Sequence, residues 1–555
     1  MRFTCFSVAC IWIPLLLRGD PLIPPRGVVN GASFLPAALP GGSIAQGSIF
    51  TIFGSGLGPA TPVQASAFPL ATTLGGVSVK VFQGSTSVNA YPIFVTAGQL
   101  NVVMPSNAPL GRVSVQVTYS GVAGNPAPVT VVANSFGSFS ANSAGNGPGI
   151  VNNFVTQNNQ PVNSLLQPAT PGQTEILWGT GLGPLTTPDN VAPPAGSLPT
   201  QVEVFVGGIA AQVSYSGRTP CCSGVDQIVF TIPSNVPLGC YVPVLVRTGG
   251  VTAGNTVSIA ITQDGSSCVA TLPPVSQAFV KGGRVGVANM TSTTLHSDIE
   301  VSPVDAGVDF AQASFNRAAA NPFFYQPVLS TPPPGTCLTY AAATDLSNFI
   351  PPPNPLEIMP GAALDGGSTA TVSGAGGSLP LGPVMGTKSL ANPLGFNIPG
   401  IDASPYFTSG SYTLQTAGGA DVGNASVNVP YVAPVNWTNR DASSVVTVNR
   451  SSPLTLNWTG APAAAPVFIF GGNVDIPTNS TGAFLCTAPP GAASFTIPVP
   501  VLETVPPARF QSSQQKGFIF LRVPSVPGGT SFSAQGLDVG GAFFISQSGR
   551  TVMFQ

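Results

Sequence analysis

The sequence predicts an all-β protein of tandem β-sandwich domains, and three observations carry that expectation. A strand-like stretch running into a glycine-rich turn occurs twice, as GSIFTIFGSGLGP at Gly47–Pro59 and GQTEILWGTGLGP at Gly172–Pro184. Structure breakers punctuate all 555 residues, with 65 glycines and 59 prolines. Between them lie short Val-, Ile-, Thr- and Phe-rich runs of strand length, bounded by turn residues. Length alone suggests about four domains at roughly 100–150 residues each.

Composition narrows the class further. Charged residues are 6% of the chain against 43% hydrophobic, where an ordinary soluble protein carries about 25% charged residues. The surface is therefore uncharged and polar, built from Ser, Thr, Asn, Gln and Gly. Disorder would need high net charge and few β-branched residues, which this chain does not have. A net charge of −2 and singly scattered Lys and Arg provide no field for polyanions, so nucleic acid is not an expected partner.

Residues 1–26 read as a leader. Met1–Arg2 forms a minimal basic start, and Phe3–Leu17 is mostly apolar but too short for the roughly 20 residues that span a bilayer. Pro14 interrupts the run and no A-x-A cleavage site follows. Export is the expected meaning, giving a secreted or cell-surface protein with no transmembrane segment in the mature chain.

The first sandwich is expected over residues 27–133 and the second over 148–262. In the first, the motif strand and its turn precede LGGVSVKVF, GQLNVVMPSNAPLG and RVSVQVTY; in the second they precede LPTQVEVFVGG, VDQIVFTIPSNVPLG and CYVPVLVR. Gln99 and Gln227, Pro105 and Pro233, Pro109 and Pro237, and Gly111 and Gly239 fall in register. A repeat of whole strands at roughly 125 residues is a duplicated domain, since solenoid repeats have periods of about 20–50. With the opening GVVNGASF, the GSGLGP turn and the QLNVVMP strand, Gly27–Thr262 resembles an uncharacterised carboxy-terminal domain family of Solibacter-type acidobacterial exported proteins, made of two immunoglobulin-like (IPT/TIG-like) units, so that the fold class expected is all-β with tandem immunoglobulin-like β-sandwich domains. The resemblance implies an exported β-sandwich pair and assigns no catalytic residue. Here the region lies at the front of the chain.

Asn134–Gly149 (NSFGSFSANSAGNGPG) reads as a linker, covering 134–147, that is flexible or a surface loop. Within the second unit, strands are expected at Val202–Val206, Ile209–Tyr215, Gln227–Ile232, Tyr241–Arg247 and Thr256–Thr262, followed by a break at Asp264–Pro274. A third sandwich is placed at 275–432, with strands at Ala278–Asn289, Ser297–Ser302, Asp309–Phe315, Gly367–Gly374 and Ser411–Gln415. Pro332–Pro334 and Pro351–Pro355 exclude central strands there. A fourth sandwich is placed at 433–555, with strands at Val445–Val448, Leu454–Thr459, Val467–Phe470, Ser494–Pro498, Gly517–Val523 and Ala542–Ser546.

The chemistry-bearing residues are few. His296, the one histidine, lies outside any nucleophile-elbow pattern and reads as solvated or hydrogen-bonded. The five glutamates and 14 aspartates stand apart in sequence, offering neither an acid pair nor a calcium loop. The glycine turns lack the Lys and following helix of a phosphate loop. No cofactor and no metal site is expected.

Cysteine supplies the one reactive pattern. Outside the leader's Cys5 and Cys10 there are six: Cys221, Cys222, Cys240, Cys268, Cys337 and Cys486. An even number in an exported chain suggests disulfides, whereas zinc would want C-x-x-C spacing and nearby histidines. If Tyr241–Arg247 and Thr256–Thr262 run antiparallel, Cys240 and Cys268 meet at one end of the sandwich. That leaves Cys221 and Cys222 as a vicinal bond or a free pair, and Cys337 to bond Cys486 across the last two domains. In the competing arrangement Cys221 or Cys222 bonds Cys240, with Gly217–Gly224 folded back along the domain.

The expected function is that of a non-catalytic exported or cell-surface protein whose sandwiches adhere or space, its partner an extracellular polysaccharide or protein surface. An array of carbohydrate-binding modules is an alternative, using Trp178, Trp437 or Trp458 as stacking platforms, although Trp178 sits at a strand position suited to a core. A hydrolase with its site in 275–555 is another.

Overall fold

A computed structural model describes residues 20–252, 255–299, 302–327, 329–343, 361–384, 387–397, 405–508 and 517–555. The leader stretch Met1–Leu17 with Cys5 and Cys10, Glu300, Glu357 and Pro351–Pro355 lie outside the described residues. The protein is all-β and built of β-sandwiches, with about 49% strand and 4% helix.

The two copies of the repeat fold by one plan. In the first, the strands lie in the order Val28–Asn30, Ile49–Phe53, Gln99–Val103, Thr86–Val95, Val77–Gln83, Gly111–Tyr119, Ala127–Val132 and Ile44–Ala45. In the second the order is Gly137–Ser138, Thr174–Thr180, Asp226–Thr231, Ile209–Arg218, Val202–Val206, Gly239–Thr248, Val257–Ile261 and Gly147–Pro148. Each path ends on a short strand running parallel to its neighbour. In both, the fourth strand of the path changes partners along its length, at a register shift between Pro92 and Phe94 or between Val213 and Tyr215. A bulge bends and twists the strand that carries it, so one strand serves both layers of the sandwich.

The repeated turn works by close approach. Leu22 and Ile23, expected within the leader, pack with the first sandwich, Leu22 pairing with Ser55 and Ile23 buried in the core. A Cβ on Gly54 would lie 2.2 Å from the Leu22 carbonyl oxygen, and one on Gly179 would lie 2.2 Å from Cζ of Phe136. Only glycine lets the flanking backbone come that near. The leucine between the turn glycines, Leu57 or Leu182, is fully buried and plugs the end of its core.

The segment expected as a linker is part of the second sandwich. Gly137–Ser138 pairs with Gly179–Thr180, Gly147–Pro148 pairs with Val257–Ser258, and Phe136 is fully buried. The Ser/Asn/Gly composition that suggested flexibility supplies short side chains for tight turns and for capping bonds such as Ser140 Oγ accepting from Gly145 N at 3.0 Å.

The carboxy-terminal half departs furthest from expectation. Pro274–Lys281 is a helix, where the sequence reading has a break and then a strand from Ala278. Its proline occupies the first turn, where no hydrogen bond is lost. Val275 and Phe279 bury one stripe, and Gly282, at φ 83°, ends it. The three strands expected over Ala278–Phe315 are two, Gly283–Ile299 and Ser302–Ala318, forming one long hairpin.

The boundary placed at 432/433 does not divide the sheets. One sheet runs through Cys337–Ala343, Ser480–Ala488, Val467–Asp475, Gly517–Pro524, Val539–Phe554, Gly283–Ile299, Ser302–Ala318, Leu390–Asn397, Gly377–Pro383, Ala370–Gly374, Ser411–Thr416 and Ala425–Pro430. The last strand of the chain thus lies parallel to Gly283–Ile299, joining the regions expected as separate third and fourth sandwiches. Two cores form along this sheet, one around Met290, Tyr412 and Phe544, the other around Trp458, Ile469 and Leu521.

Candidate functional site

A buried polar arrangement lies where the duplicated sandwiches meet, and both copies of the repeat contribute to it. Arg218 ends the sheet-switching strand of the second sandwich, and its side chain is 1% exposed. Its Nε stands 3.2 Å from a carboxylate oxygen of Asp226, which is fully buried. Its terminal nitrogens donate to the carbonyl of Gly47, the first residue of the first motif, and at 2.5 Å to that of Gly183 in the second. The other carboxylate oxygen of Asp226 accepts from Gly181 N at 2.7 Å and Leu182 N at 2.8 Å. One ion pair therefore organises the second glycine turn and clamps it to the start of the first motif strand.

Around the pair the two sandwiches exchange further hydrogen bonds. Ile49 N donates to Thr180 Oγ1 at 2.8 Å, and that hydroxyl donates to the Gly224 carbonyl at 2.5 Å. Asp189 accepts from Ser106 N at 2.6 Å and from Ser106 Oγ at 2.7 Å. Leu70 N donates to the Asn190 carbonyl at 2.7 Å. Ile49, Leu70 and Val103 of the first sandwich form a small apolar cluster with Phe139 and Val225 of the second. This contact explains why Ile49, on the outer face of its strand, is buried. Burial pushes the Asp226 carboxyl up to about 6, against the opposing pull of the Arg218 charge and the two backbone donors. Above that pH the pair is doubly charged.

The vicinal cysteines border this junction. Cys221 and Cys222 are bonded to each other, with Cα atoms 3.8 Å apart. Their loop is closed by Thr219 N donating to the Val225 carbonyl at 3.0 Å and Val225 N to that of Cys222 at 3.2 Å. Gly224 in the same loop lies against Ile49 so closely that a Cβ would come within 2.7 Å of it. Cys240 bonds Cys268 with a Cα separation of 5.6 Å, beside the register pair Gly239 and Ile261. Both sulfurs lie in the core formed with Tyr241, Val275 and Phe279, so this bond ties the second sandwich to the helix that follows it. Cys337 and Cys486 are bonded and stand opposite one another in register, with a Cα separation of 4.0 Å.

The remaining sequence candidates do not converge on this place. His296 Nδ1 lies 2.8 Å from Asp305, and its Nε2 lies 3.8 Å from Asp441, which Arg550 holds at 2.7 Å. The imidazole is a strut between the long hairpin and the Arg440–Asp441 turn. Trp437 and Trp458 are 5% and 1% exposed and serve as core, which removes them as sugar platforms. Trp178 is half-buried and donates from Nε1 to Asn152 at 2.6 Å. Among the described residues no group of three His, Cys, Asp or Glu side chains could hold a metal ion, and no helix is long and apolar enough to cross a membrane.

Sequence reasoning passed over Arg218, Asp189 and Asp226, which read as isolated charges. It also passed over Glu175, although a signal existed: aligning the motifs sets Glu175 against Phe50, a fully buried core residue. Glu175 is likewise fully buried, and neither carboxylate oxygen has a hydrogen-bond partner among the described residues. Burial raises its pKa well above 4.5. A carboxyl whose folded pKa is raised holds its proton in the folded state and releases it on unfolding, so its contribution to stability falls as pH rises above the unfolded value. Glu175→Leu is therefore expected to be more stable than the parent at pH 7. The gap should grow from about pH 4.5 upward by at most about 1.4 kcal/mol per pH unit. Urea denaturation of both proteins at pH 5 and pH 7 measures it; an equal gap at the two values would show that Glu175 does not titrate in that range. Asp226 adds a slope of the same sign below about pH 6, which cancels in the difference.

No family model matches the chain, and no curated protein matches it. Among solved structures, the chain is similar to SGBP-B from a complex xyloglucan utilization locus in Bacteroides uniformis, at 12% identity and a TM-score of 0.16, covering 68% of this chain and 87% of that one. It is similar to domains 5–6 of the S-layer protein SbsC at 12% identity and a TM-score of 0.15, covering 44% of this chain and 100% of that one. It is similar to the titin Ig tandem domains A164–A165 at 10% identity and a TM-score of 0.13, covering 40% and 92%. Overlays at such scores do not bear on what the protein does.

Proposed function

We propose that the protein is an exported, non-catalytic spacer of the cell surface, in which the duplicated sandwiches form one stiff arm carrying the carboxy-terminal half. The observation behind this reading is the buried ion pair of Arg218 and Asp226 at the junction. Contacts between domains that move against each other are small, polar and wet. A desolvated charge pair that also fixes two backbone turns is costly to open, because opening exposes one sandwich's motif strand and leaves the Gly47 carbonyl without its guanidinium. Three disulfides suit an oxidising compartment, and an uncharged polar surface suits a protein that works by spacing. Membership of Gly27–Thr262 in the acidobacterial exported family belongs to the same proposal and is supported by the common strand order of the two units.

The test has two arms on the full chain. Spin labels at the exposed positions Ser87 and Ser214, one on each sandwich, are expected to give a single narrow distance distribution. A membrane-impermeant biotin reagent should label the protein on intact cells of its native host. A distribution as broad as that of a flexible linker would overturn the stiff arm, and protection from the reagent until lysis would overturn the surface location.

A further inference from the structure

The strands Val467–Asp475, Ser480–Ala488 and Gly517–Pro524 lie side by side in the long sheet and divide their residues between two faces, as the period of two requires. One face sends Ile469, Cys486, Ile519 and Leu521 into a core. The other carries Phe468, Phe470, Phe518, Phe520 and Arg522, whose positions interlock: Phe468 pairs with Arg522, Phe470 with Phe520 and Gly472 with Phe518. With Tyr340 and Leu485 at its side, this face forms a cleft of about 260 Å3. The rings of Phe470 and Phe518 are 5.4 Å apart, and those of Phe518 and Phe520 are 5.6 Å apart. Phe470 and Phe518, which line the cleft, are half-buried, so it is an open aromatic trough.

Arg522 is out of place in such a trough. It is 8% exposed, its Nε has no hydrogen-bond partner, and it has no acidic partner among the described residues. Its guanidinium carbon lies 4.5 Å from the centroid of Phe470. That stacking offsets only part of what removing a cation from water costs. Burial draws the guanidinium down to about 10, so it still carries its charge at neutral pH. Long cationic side chains at apolar surfaces ordinarily extend their heads into water. This one stays on the ring, and none of the described residues lining the cleft is acidic.

We propose that this cleft binds an amphiphilic monocarboxylate, with the carboxylate on Arg522 and an aromatic or alkyl body against Phe468, Phe470 and Phe518. A planar guanidinium fork matches a carboxylate in two parallel hydrogen bonds, and a single cation balances a single negative charge. A phosphate dianion would need further donors, and among the described residues lining the cleft Arg522 is the only cationic one. The proposal is independent of the spacer reading, since the cleft lies in the carboxy-terminal half.

Isothermal titration of the full-length protein with 4-phenylbutyrate and with its neutral analogue 4-phenylbutanamide tests it. The acid is expected to bind one to one and about tenfold or more tighter than the amide, the discrimination that a charge-assisted hydrogen bond confers. Arg522→Met should bring the acid to the amide's affinity while leaving the amide unchanged. Arg522→Lys, which keeps the charge and loses the fork, should fall between. Equal binding of acid and amide by the parent protein, no binding of the acid at millimolar concentration, or undiminished acid binding by Arg522→Met would each overturn the proposal. The first two comparisons need no variant, so they decide the matter even if Arg522→Met fails to fold.

Discussion

Removing the Cys337–Cys486 bond, by Cys337→Ala with Cys486→Ala, is expected to cost the carboxy-terminal half about 5 kcal/mol of stability, which lowers its melting transition by about 10–20 °C. The bond closes a loop of 149 residues, and in the chain-entropy model the stabilisation from closing a loop grows with its length. Strand position adds to the effect. Among the described residues Cys337–Ala343 is the end strand of the long sheet and pairs on one side only, with Ser480–Ala488. An edge strand with one partner frays more easily than a central one. The bond joins this strand at its first residue, where Cys486 is fully buried. Calorimetry of the full chain shows the shift directly, and hydrogen exchange over residues 337–343 should show this strand opening first. A shift below about 3 °C would mean that strand pairing and the Trp458 core hold the edge without the cross-link.

What the sequence revealed and what it concealed divide along physical lines. The duplicated strands were legible because each has one face in a core and ends at a turn that only glycine can make, so alternation and punctuation coincide at Ile49–Gly58 and Thr174–Gly183. The strands of the second sandwich fall within a few residues of their expected positions, and Tyr241–Arg247 and Thr256–Thr262 lie antiparallel as the reasoning about Cys240 and Cys268 required. The long hairpin was not legible as one piece. Its middle, Thr291–Thr294, is a run of small polar residues without alternation, and its neighbour Val539–Phe554 lies more than 240 residues away, pairing Val285 with Val539. No local pattern encodes a parallel partner at that distance. The helix Pro274–Lys281 was concealed by its prolines and by having little more than two turns in which to show a period. Arg218 was concealed for another reason. In a chain with 17 basic residues an isolated arginine reads as surface, and only folding sets it against Asp226 and the carbonyls of both motifs.

Arg218→Met is expected to destabilise the paired sandwiches by about 3–5 kcal/mol at pH 7, the usual consequence of leaving one member of a buried ion pair without its partner. The variant also loses the hydrogen bonds to the carbonyls of Gly47 and Gly183. The dependence on pH separates these two losses. In the parent, burial already holds the Asp226 pKa up to about 6, above its ordinary value of 3.8. Without the guanidinium that pulls it down, the folded-state pKa rises further. Between pH 6 and that higher value the variant's aspartic acid is protonated when folded and ionised when unfolded, while the parent's is ionised in both states. The variant therefore loses stability with rising pH in a range where Asp226 gives the parent no slope, and the gap between them should widen from about pH 6 upward. A second change tests the cause. Asp226→Asn keeps an oxygen to accept from Gly181 N and Leu182 N and removes the charge, so Arg218→Met with Asp226→Asn should recover at least half of the loss at pH 8 and little of it at pH 5. Urea denaturation read by hydrogen exchange over Glu175–Gly183 reports on the affected turn. A single-variant cost below about 1 kcal/mol, or a gap equal at pH 5 and pH 8, would show that the pair behaves as a solvent-screened surface bridge and that the apolar contact of Ile49, Leu70 and Val103 with Val225 holds the sandwiches together.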